Sequence, residues 1–291
     1  MVITIKQIIY NCFMGKGERF PVSLNAVNVV CFKIDWEEKM LNVLLLKRSI
    51  VPQKNKWSLP GGFVQGDETL EEAARRIFVT ETGISPAYLS QFRSYSDTRR
   101  DSRIIDKRSG QKARVVTTAF TAIYTSNEEL QLDDESEDIR WFKVPRRYFN
   151  RSVPENMAFD HYDMLLEASN RLRISLEYSG LATRFLPEHF TLGQIQDIYE
   201  IIWEVELDPA NFREKLTNVE GWIKESKAGP KNAEPRRGKP PTWYKEHDIP
   251  QFDRMITNPN GAVVREKESE YQKNLDNMTN EIPIVNLKTN E

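Results

Sequence analysis

Two short apolar runs lie near the start of the chain. The first run spans residues 26–32, the second spans residues 41–46, and a charged segment separates them. Runs of this length that are rich in β-branched residues predict paired strands. Further strand-like runs at 113–124 and 139–144 follow a single helical segment. Strands, one helix and more strands predict an α+β sandwich.

The helical segment is marked at both ends by local signals. Thr69 and Glu72 form a capping box, and Gly83 supplies a stop signal for the helix. A Pro60-Gly61-Gly62 break separates this segment from the second strand-like run. We therefore predict a helix over residues 69–82.

After residue 145 the pattern changes from strand-like to helical. Apolar positions in 160–178 recur at helical spacing, and a second helix opens with a capping box at Thr191. A short connection then leads to Asp208 as N-cap and Pro209 at the first helical position. Two capped helices joined by a short turn predict a helix-turn-helix unit. We expect a first domain in residues 1–150, a second in 151–250 and a polar tail in 251–291.

The composition of the chain is that of an ordinary globular protein, except for one basic segment. The chain has 291 residues, 39% of them hydrophobic, which predicts a globular protein of about two domains. The 41 basic and 43 acidic side chains nearly cancel, but residues 227–245 carry six basic side chains and one acid, a local charge of +5. Any basic surface is therefore local to that segment.

The number of cysteines and the hydropathy of the chain indicate the cellular location of the protein. Two cysteines are too few for a disulfide framework, and no apolar run is long enough for a signal peptide or a membrane span. The three histidines show no metal-ligand spacing, so we interpret them as structural or surface residues. We expect a cytoplasmic protein without a membrane partner.

The first domain carries a motif with specific spacing. Gly62-x5-Glu68-x7-Arg76, followed by Glu81-Thr82-Gly83-Ile84, resembles the Nudix box, and residues 57–63 resemble the segment that Nudix proteins commonly show before it. The resemblance implies an N-terminal Nudix fold, an α/β/α sandwich.

The same motif departs from the family pattern at the positions where Nudix hydrolases have their magnesium-binding carboxylates. Nudix hydrolases place carboxylates on one helix face to hold magnesium, whereas this chain has Ile77, Thr80 and only Glu81 at those positions. Magnesium prefers several oxygen ligands, and isoleucine supplies none. We therefore expect no metal site, no cofactor, no catalytic residues and no efficient hydrolysis. A degenerate hydrolase cleft can still bind its ligand.

The resemblance implies a nucleoside diphosphate ligand such as ADP-ribose. Arg48, Glu68, Arg76, Glu81 and Arg99 are the candidate effector-binding residues, with Arg100 and Arg103 in the same basic loop as Arg99. The alternative is that the arginines are solvated loop residues and that Glu81 pairs with Arg76 on the helix surface.

Motifs of the second domain resemble those of the C-terminal domain in a known protein family. Phe185-Leu186-Pro187, Asn211-Phe212-Arg213 and Arg237-Gly238-Lys239-Pro240 before Trp243-Tyr244 occur in the order of the C-terminal domain of Nudix-related transcriptional regulators. The resemblance covers about residues 20–248. It implies a degenerate Nudix domain followed by a winged helix-turn-helix domain.

The physical pattern of the second domain agrees with DNA binding. A recognition helix that begins at Pro209 buries Phe212 and Leu216 and exposes its polar residues to a major groove. The basic segment is the expected wing, which contacts phosphates or a minor groove. The candidate DNA-binding residues are Asn211, Arg213, Lys215, Lys231, Arg236, Arg237 and Lys239. We expect a homodimer on a palindromic double-stranded operator.

The resemblance implies a repressor of NAD or sugar metabolism genes that an effector releases from DNA. The effector is ADP-ribose in the NAD branch and a sugar such as arabinose in the sugar branch. One alternative is an active Nudix hydrolase of the ADP-ribose pyrophosphatase type, with magnesium ligands restored from Glu135 or Glu137. In that alternative the second domain serves assembly. Another alternative is a ligand-sensing adaptor that does not bind DNA.

Overall fold

A computed structural model describes residues 23–97, 100, 114–125, 130, 136–144, 153–154, 156–227, 229, 241–247 and 256. The chain divides into two compact units, residues 1–172 and 173–291, and the division falls inside one helix. The predicted boundary near residues 150–160 precedes this division. The difference arises because His161, at the start of that helix, bonds the backbone of Leu59 within the first unit.

Seven strands of the described chain form one mixed sheet in the first unit. They are β1 (Ser23–Asp35), β2 (Met40–Arg48), β3 (Trp57–Ser58), β4 (Gly61–Phe63), β5 (Tyr88–Tyr95), β6 (Arg114–Ile123) and β7 (Ser136–Lys143). The order is β3-β2-β1-β6-β5, with β4 also paired to β1 and β7 to β2. Only the β1–β6 pair among these is parallel.

The apolar runs predicted as strands lie inside β1 and β2. Residues 26–32 are almost continuously buried, which indicates that the sheet is covered on both faces at β1. A strand that is exposed on one face would instead alternate between buried and exposed residues.

Helix α1 (Leu70–Thr82) covers one face of the sheet. The Thr69 hydroxyl accepts from the Glu72 amide at 3.2 Å, the Glu72 carboxylate accepts from the Thr69 amide at 2.8 Å, and Gly83 ends the helix with φ 72°. Ile77 and Phe78 of α1 belong to a core cluster with residues of β1, β2 and β6. The predicted helix and its two end signals are confirmed.

Three α-helices, a 3-10 helix and a hairpin make up the rest of the described chain. They are α2 (His161–Tyr178), the 3-10 helix (Gly180–Phe185), α3 (Leu192–Trp203), α4 (Pro209–Thr217), β8 (Ile223–Ser226) and β9 (Trp243–Glu246). Strands β8 and β9 are antiparallel, and Phe190 forms a two-way backbone bridge with Tyr244 on β9. This arrangement of α3, α4 and a hairpin is that of a winged helix.

The two helices of the helix-turn-helix unit begin at the predicted caps. Thr191 and Gln194 form a capping box for α3, and the Asp208 carboxylate accepts from the Asn211 amide at 2.8 Å at the start of α4. The Tyr199 ring lies edge-on to that of Phe212, with centroids 5.0 Å apart. This buried aromatic contact fixes α4 against α3.

Among the described residues, none of the helices has the length and apolar character that crossing a membrane requires.

Candidate functional site

A cavity of about 650 Å3 opens beside β4 in the first unit. Its volume lies within the range of about 300–1,000 Å3 that is typical of small-molecule sites. Most of its wall is apolar, and its polar side chains are Asn28, Arg48, Arg100, Thr117 and His161. Both ionised side chains in the described wall are arginines, and no acidic residue lines it. This combination fits a ligand with an anionic group and an apolar part.

Arg48 extends from the end of β2 into this wall. Its Nε donates to the Pro52 carbonyl at 3.0 Å, and its guanidinium carbon lies 5.6 Å from the centre of the Phe159 ring. Phe159 has φ 51°, a left-handed conformation that side-chain-bearing residues rarely adopt and that often accompanies functional sites. The arginine is therefore oriented before any ligand binds.

Arg100 lines the same cavity, but its charge is compensated. Its Nη2 donates to the Asp160 carboxylate at 2.8 Å and its Nη1 to the Tyr95 carbonyl at 3.2 Å. The guanidinium also lies over the Tyr95 ring. Part of the Arg100 guanidinium is thus already engaged by protein groups. The predicted Arg99, together with Arg103, lies outside the described residues.

Glu68 and Arg76 form a bidentate ion pair beside the cavity. Arg76 donates from Nε at 2.8 Å and from Nη2 at 2.6 Å to the two carboxylate oxygens, and Nη2 also reaches the Phe63 carbonyl at 3.3 Å. The hydrogen bond from Arg76 lowers the pKa of Glu68 to about 2. Neither residue is among those that line the cavity. The pair therefore holds α1 against β4.

The Glu81 carboxylate also holds α1 next to β4. It accepts from the Gly61 amide at 2.9 Å, which fixes β4 next to the end of α1. Ile77 is 5% exposed and packs in the core, and Thr80 is exposed. Within the described ranges there is no group of three or more His, Cys, Asp or Glu side chains that could hold a metal ion. Glu137 pairs with Lys47 at 3.3 Å, and Glu135 is outside the described residues.

Sequence reasoning missed three polar residues of the cavity wall. His161 was interpreted as structural, and Asn28 and Thr117 lie inside apolar strand runs. The bond that places His161 joins residues 102 positions apart in the chain. No local sequence pattern marks such a contact.

Helix α4 exposes the predicted DNA-reading residues. Asn211, Arg213 and Lys215 are exposed, whereas Phe212 and Leu216 are buried. On a helix, residues four apart share a side and residues two apart do not. Asn211 and Lys215 therefore lie on one flank of the exposed face and Arg213 on the other.

The β8–β9 hairpin adds basic residues to the same unit. Lys224 and Lys245 are directly opposite each other in the antiparallel register, and both are exposed. Lys224 was missed because it precedes the basic segment predicted as the wing. The predicted Lys231, Arg236, Arg237 and Lys239 lie outside the described residues, as does most of the 251–291 tail.

Comparison with family models divides the chain as the fold does. Residues 24–165 match the NUDIX domain, and residues 182–245 match the NrtR DNA-binding winged helix domain.

Comparison with individual proteins gives a relative that contains both parts. The chain is 33% identical over 199 residues to the ADPR responsive transcriptional repressor NtrR of Acinetobacter baylyi, covering 68% of this chain and 73% of the relative. It is also 33% identical over 124 residues to the ADP-ribose pyrophosphatase of Methanocaldococcus jannaschii, covering 43% of this chain and 63% of that protein. Its fold resembles the crystal structure of Shewanella oneidensis NrtR complexed with a 27mer DNA, with 25% identity, a TM-score of 0.61 and coverage of 80% and 99%. The chain therefore belongs to the family of Nudix-related transcriptional regulators, in which a NUDIX domain precedes an NrtR DNA-binding winged helix domain.

Proposed function

We propose that the protein is a transcriptional repressor that binds operator DNA through its winged helix and is released from DNA by ADP-ribose bound in the first unit. The observation that carries the proposal is that one chain combines an arginine-lined cavity in a Nudix domain with an exposed, capped recognition helix. The Acinetobacter relative is described as ADPR responsive, and we extend that property to this chain.

The chemistry of the cavity favours ADP-ribose over a neutral sugar such as arabinose. A diphosphate matches the charge of Arg48, and an adenine ring matches the apolar wall that includes Phe63 and Phe159. A monosaccharide offers neither an anionic group nor a large apolar surface. The volume of about 650 Å3 also suits a ligand of dinucleotide-like size.

The protein is proposed not to be an enzyme. The magnesium centre of Nudix hydrolases does not fit α1, because Ile77 is a core residue, Thr80 is neutral and the Glu81 carboxylate accepts from the Gly61 amide. One carboxylate that is already engaged is a poor site for a cation that prefers several oxygen ligands. The effector would accordingly be bound and released intact.

The second candidate function is ADP-ribose hydrolysis, which the identity to the Methanocaldococcus pyrophosphatase favours. We expect no phosphate-bond cleavage when the purified protein is incubated with ADP-ribose and magnesium. Magnesium-dependent turnover that Glu81→Gln abolishes would instead support the enzyme and contradict the repressor proposal in its non-catalytic form.

DNA recognition is proposed to use a homodimer on a palindromic operator. Winged helices of this kind read half-sites through the exposed face of the recognition helix, while lysines of the wing contact phosphates. Arg213 on one flank of α4 and Asn211 on the other are the candidate base-reading residues, and Lys215 completes the α4 set. Lys231, Arg236, Arg237 and Lys239 remain proposed wing contacts, and a cytoplasmic location remains a prediction.

The test is a gel-shift titration on DNA from the upstream regions of the gene itself and of its neighbours, at one fixed salt concentration. We expect specific binding that ADP-ribose weakens by roughly 5- to 150-fold, the usual range of allosteric coupling. Arabinose should leave binding unchanged. No specific binding at any of these regions, or binding that ADP-ribose leaves unchanged, would contradict the proposal.

Matched variants separate the two sites. Arg213→Ala should weaken DNA binding roughly 5- to 100-fold, the cost of one base contact, with ADP-ribose affinity retained. Arg48→Ala should retain DNA binding but require a higher ADP-ribose concentration for release. Arg75→Ala removes the same charge from an exposed position of α1 and serves as the control for both.

A further inference from the structure

His161 is a buried polar residue in the wall of the cavity. It begins α2, it is 4% exposed, and its Nδ1 accepts a hydrogen bond from the Leu59 amide at 2.9 Å. Because Nδ1 is the acceptor, the proton of the neutral ring is on Nε2. The backbone of Leu59 thereby fixes one tautomer of the imidazole.

The ring stays neutral over the physiological pH range. Burial lowers the pKa of His161 to about 3; the Asp160 carboxylate opposes this shift, and the Arg100 and Arg48 guanidinium groups add to it. At neutral pH the side chain therefore offers one N–H donor and no charge. It is not the imidazolium that commonly binds phosphate.

The Nε2 donor has no protein acceptor among the contacts of the described residues. The ring is one of the groups that line the cavity, so this donor is available to a ligand. A donor on a cavity wall bonds water when the cavity holds no ligand, and a ligand oxygen that replaces this water preserves the hydrogen bond. The acceptor is then expected to come from the molecule that fills the cavity.

Arg48 and His161 belong to one cluster around Phe159. The Phe159 ring lies 5.6 Å from the Arg48 guanidinium carbon and 5.4 Å from the His161 ring centre. Both groups also line the same cavity, so an anionic group bound between them would contact both. The two groups provide complementary contacts, one charged and one neutral, for the same anionic group.

We propose that His161 is an effector-binding residue whose Nε2 donates to an oxygen of the effector's diphosphate. The inference rests on the proposed function, because it takes the occupant of the cavity to be ADP-ribose. It adds a residue that the Nudix motif does not contain. It also implies that recognition of the diphosphate depends on the tautomer set by Leu59.

Two substitutions separate the donor from the structural role of the ring. His161→Asn keeps an oxygen near the position of Nδ1 as an acceptor for the Leu59 amide but removes the Nε2 donor. His161→Gln places an amide donor near the position of Nε2. His247→Asn is the matched control, because His247 is exposed and lies in the other unit.

Isothermal titration calorimetry with ADP-ribose measures the effect. Loss of one neutral hydrogen bond should weaken ADP-ribose binding by His161→Asn roughly three- to tenfold. His161→Gln should recover most of the affinity, and His247→Asn should bind as the unaltered protein does. Unchanged affinity in His161→Asn would overturn the inference while the proposed function stands. Absence of ADP-ribose binding by the unaltered protein would overturn both.

A second measurement requires no substitution of His161 itself. Nitrogen NMR of the ring nitrogens in the unaltered protein reports the tautomer of each of its three histidines. We expect His161, identified by comparison with His189→Asn and His247→Asn, to show a protonated Nε2 whose signal shifts on addition of ADP-ribose. A His161 signal that stays fixed at saturating ADP-ribose would overturn the inference.

Discussion

Replacement of Gly61 by alanine tests whether the close approach of β4 to β1 defines the cavity wall. Gly61 lies opposite Asn28 in the antiparallel register. A Cβ atom at Gly61 would be 1.9 Å from the Asn28 Nδ2 and 2.7 Å from the Val27 carbonyl oxygen. The Asn28 Nδ2 is the end of a side chain, whereas the Val27 oxygen is backbone and moves only if the strand moves. Alanine at this position therefore separates β4 from β1.

The cost follows from the contacts that this separation disturbs. Overpacking of this kind costs about 1–3 kcal/mol. Moving β4 also weakens the charge-assisted bond from the Gly61 amide to Glu81, a bond of a type worth about 1.5–3 kcal/mol. We expect Gly61→Ala to lower the stability of the first unit by about 3–4 kcal/mol. For a unit of this size, that corresponds to a Tm lower by about 10 °C.

Differential scanning calorimetry is the assay, with Gly66→Ala as the matched control. A Cβ atom at Gly66 would meet nothing within 4 Å, so that variant should keep or slightly raise the Tm. ADP-ribose affinity should fall in Gly61→Ala and remain unchanged in Gly66→Ala, because Gly61 lines the cavity and Gly66 does not. A Tm for Gly61→Ala within about 2 °C of the unaltered protein would refute the argument from close approach.

Three other features give measurable expectations. Because Arg76 holds the pKa of Glu68 at about 2 instead of 4.5, this pair stabilises the fold above about pH 4.5 and loses its effect as the pH falls towards 2. Glu68→Gln should therefore flatten the change of Tm between pH 4.5 and pH 2, and equal slopes in both proteins would contradict this. Phe212→Ala, which empties a buried site between α3 and α4, should lower the free energy of unfolding of the second unit by about 3–5 kcal/mol in urea titrations, and a loss under 1 kcal/mol would argue against that packing. Lys224→Ala with Lys245→Ala should reduce the slope of log affinity for DNA against log salt by about 2, whereas an unchanged slope would exclude phosphate contacts by this face of the hairpin.

Local signals in the sequence were sufficient to predict where these helices begin and end. The bounds of α1 follow from a capping box at Thr69 and from Gly83, and those of α4 follow from Asp208 and Pro209. Each of these signals acts between residues that are at most a few positions apart. The prediction of a Nudix domain and a winged helix domain was confirmed for the same reason. The motifs that indicate these domains are short, and they occur in a characteristic order along the chain.

Features that depend on distant pairing could not be predicted. Strand β5 was missed because Ser90, Gln91 and Arg93 interrupt its apolar pattern, and it is a strand because it pairs with β6. The parallel pairing of β1 with β6 joins segments about 90 residues apart, and no local signal specifies it. Arg48 was predicted as a candidate from its position after a strand, and it lines the cavity, whereas the position of His161 depends on its contact with Leu59.

Ile77 occupies a position at which Nudix hydrolases carry a carboxylate, and its side chain contributes to the core beneath the cavity wall. The Ile77 side chain belongs to the core cluster, and a Cβ atom at Gly62 would lie 3.2 Å from its Cδ1. Isoleucine thus packs directly beneath β4, and full burial of such a side chain contributes about 1.5–3 kcal/mol. A carboxylate in the same place would lose that contribution and would have to be desolvated or held by a cation. The residue that stands in place of a metal-binding carboxylate therefore also stabilises the cavity wall at β4.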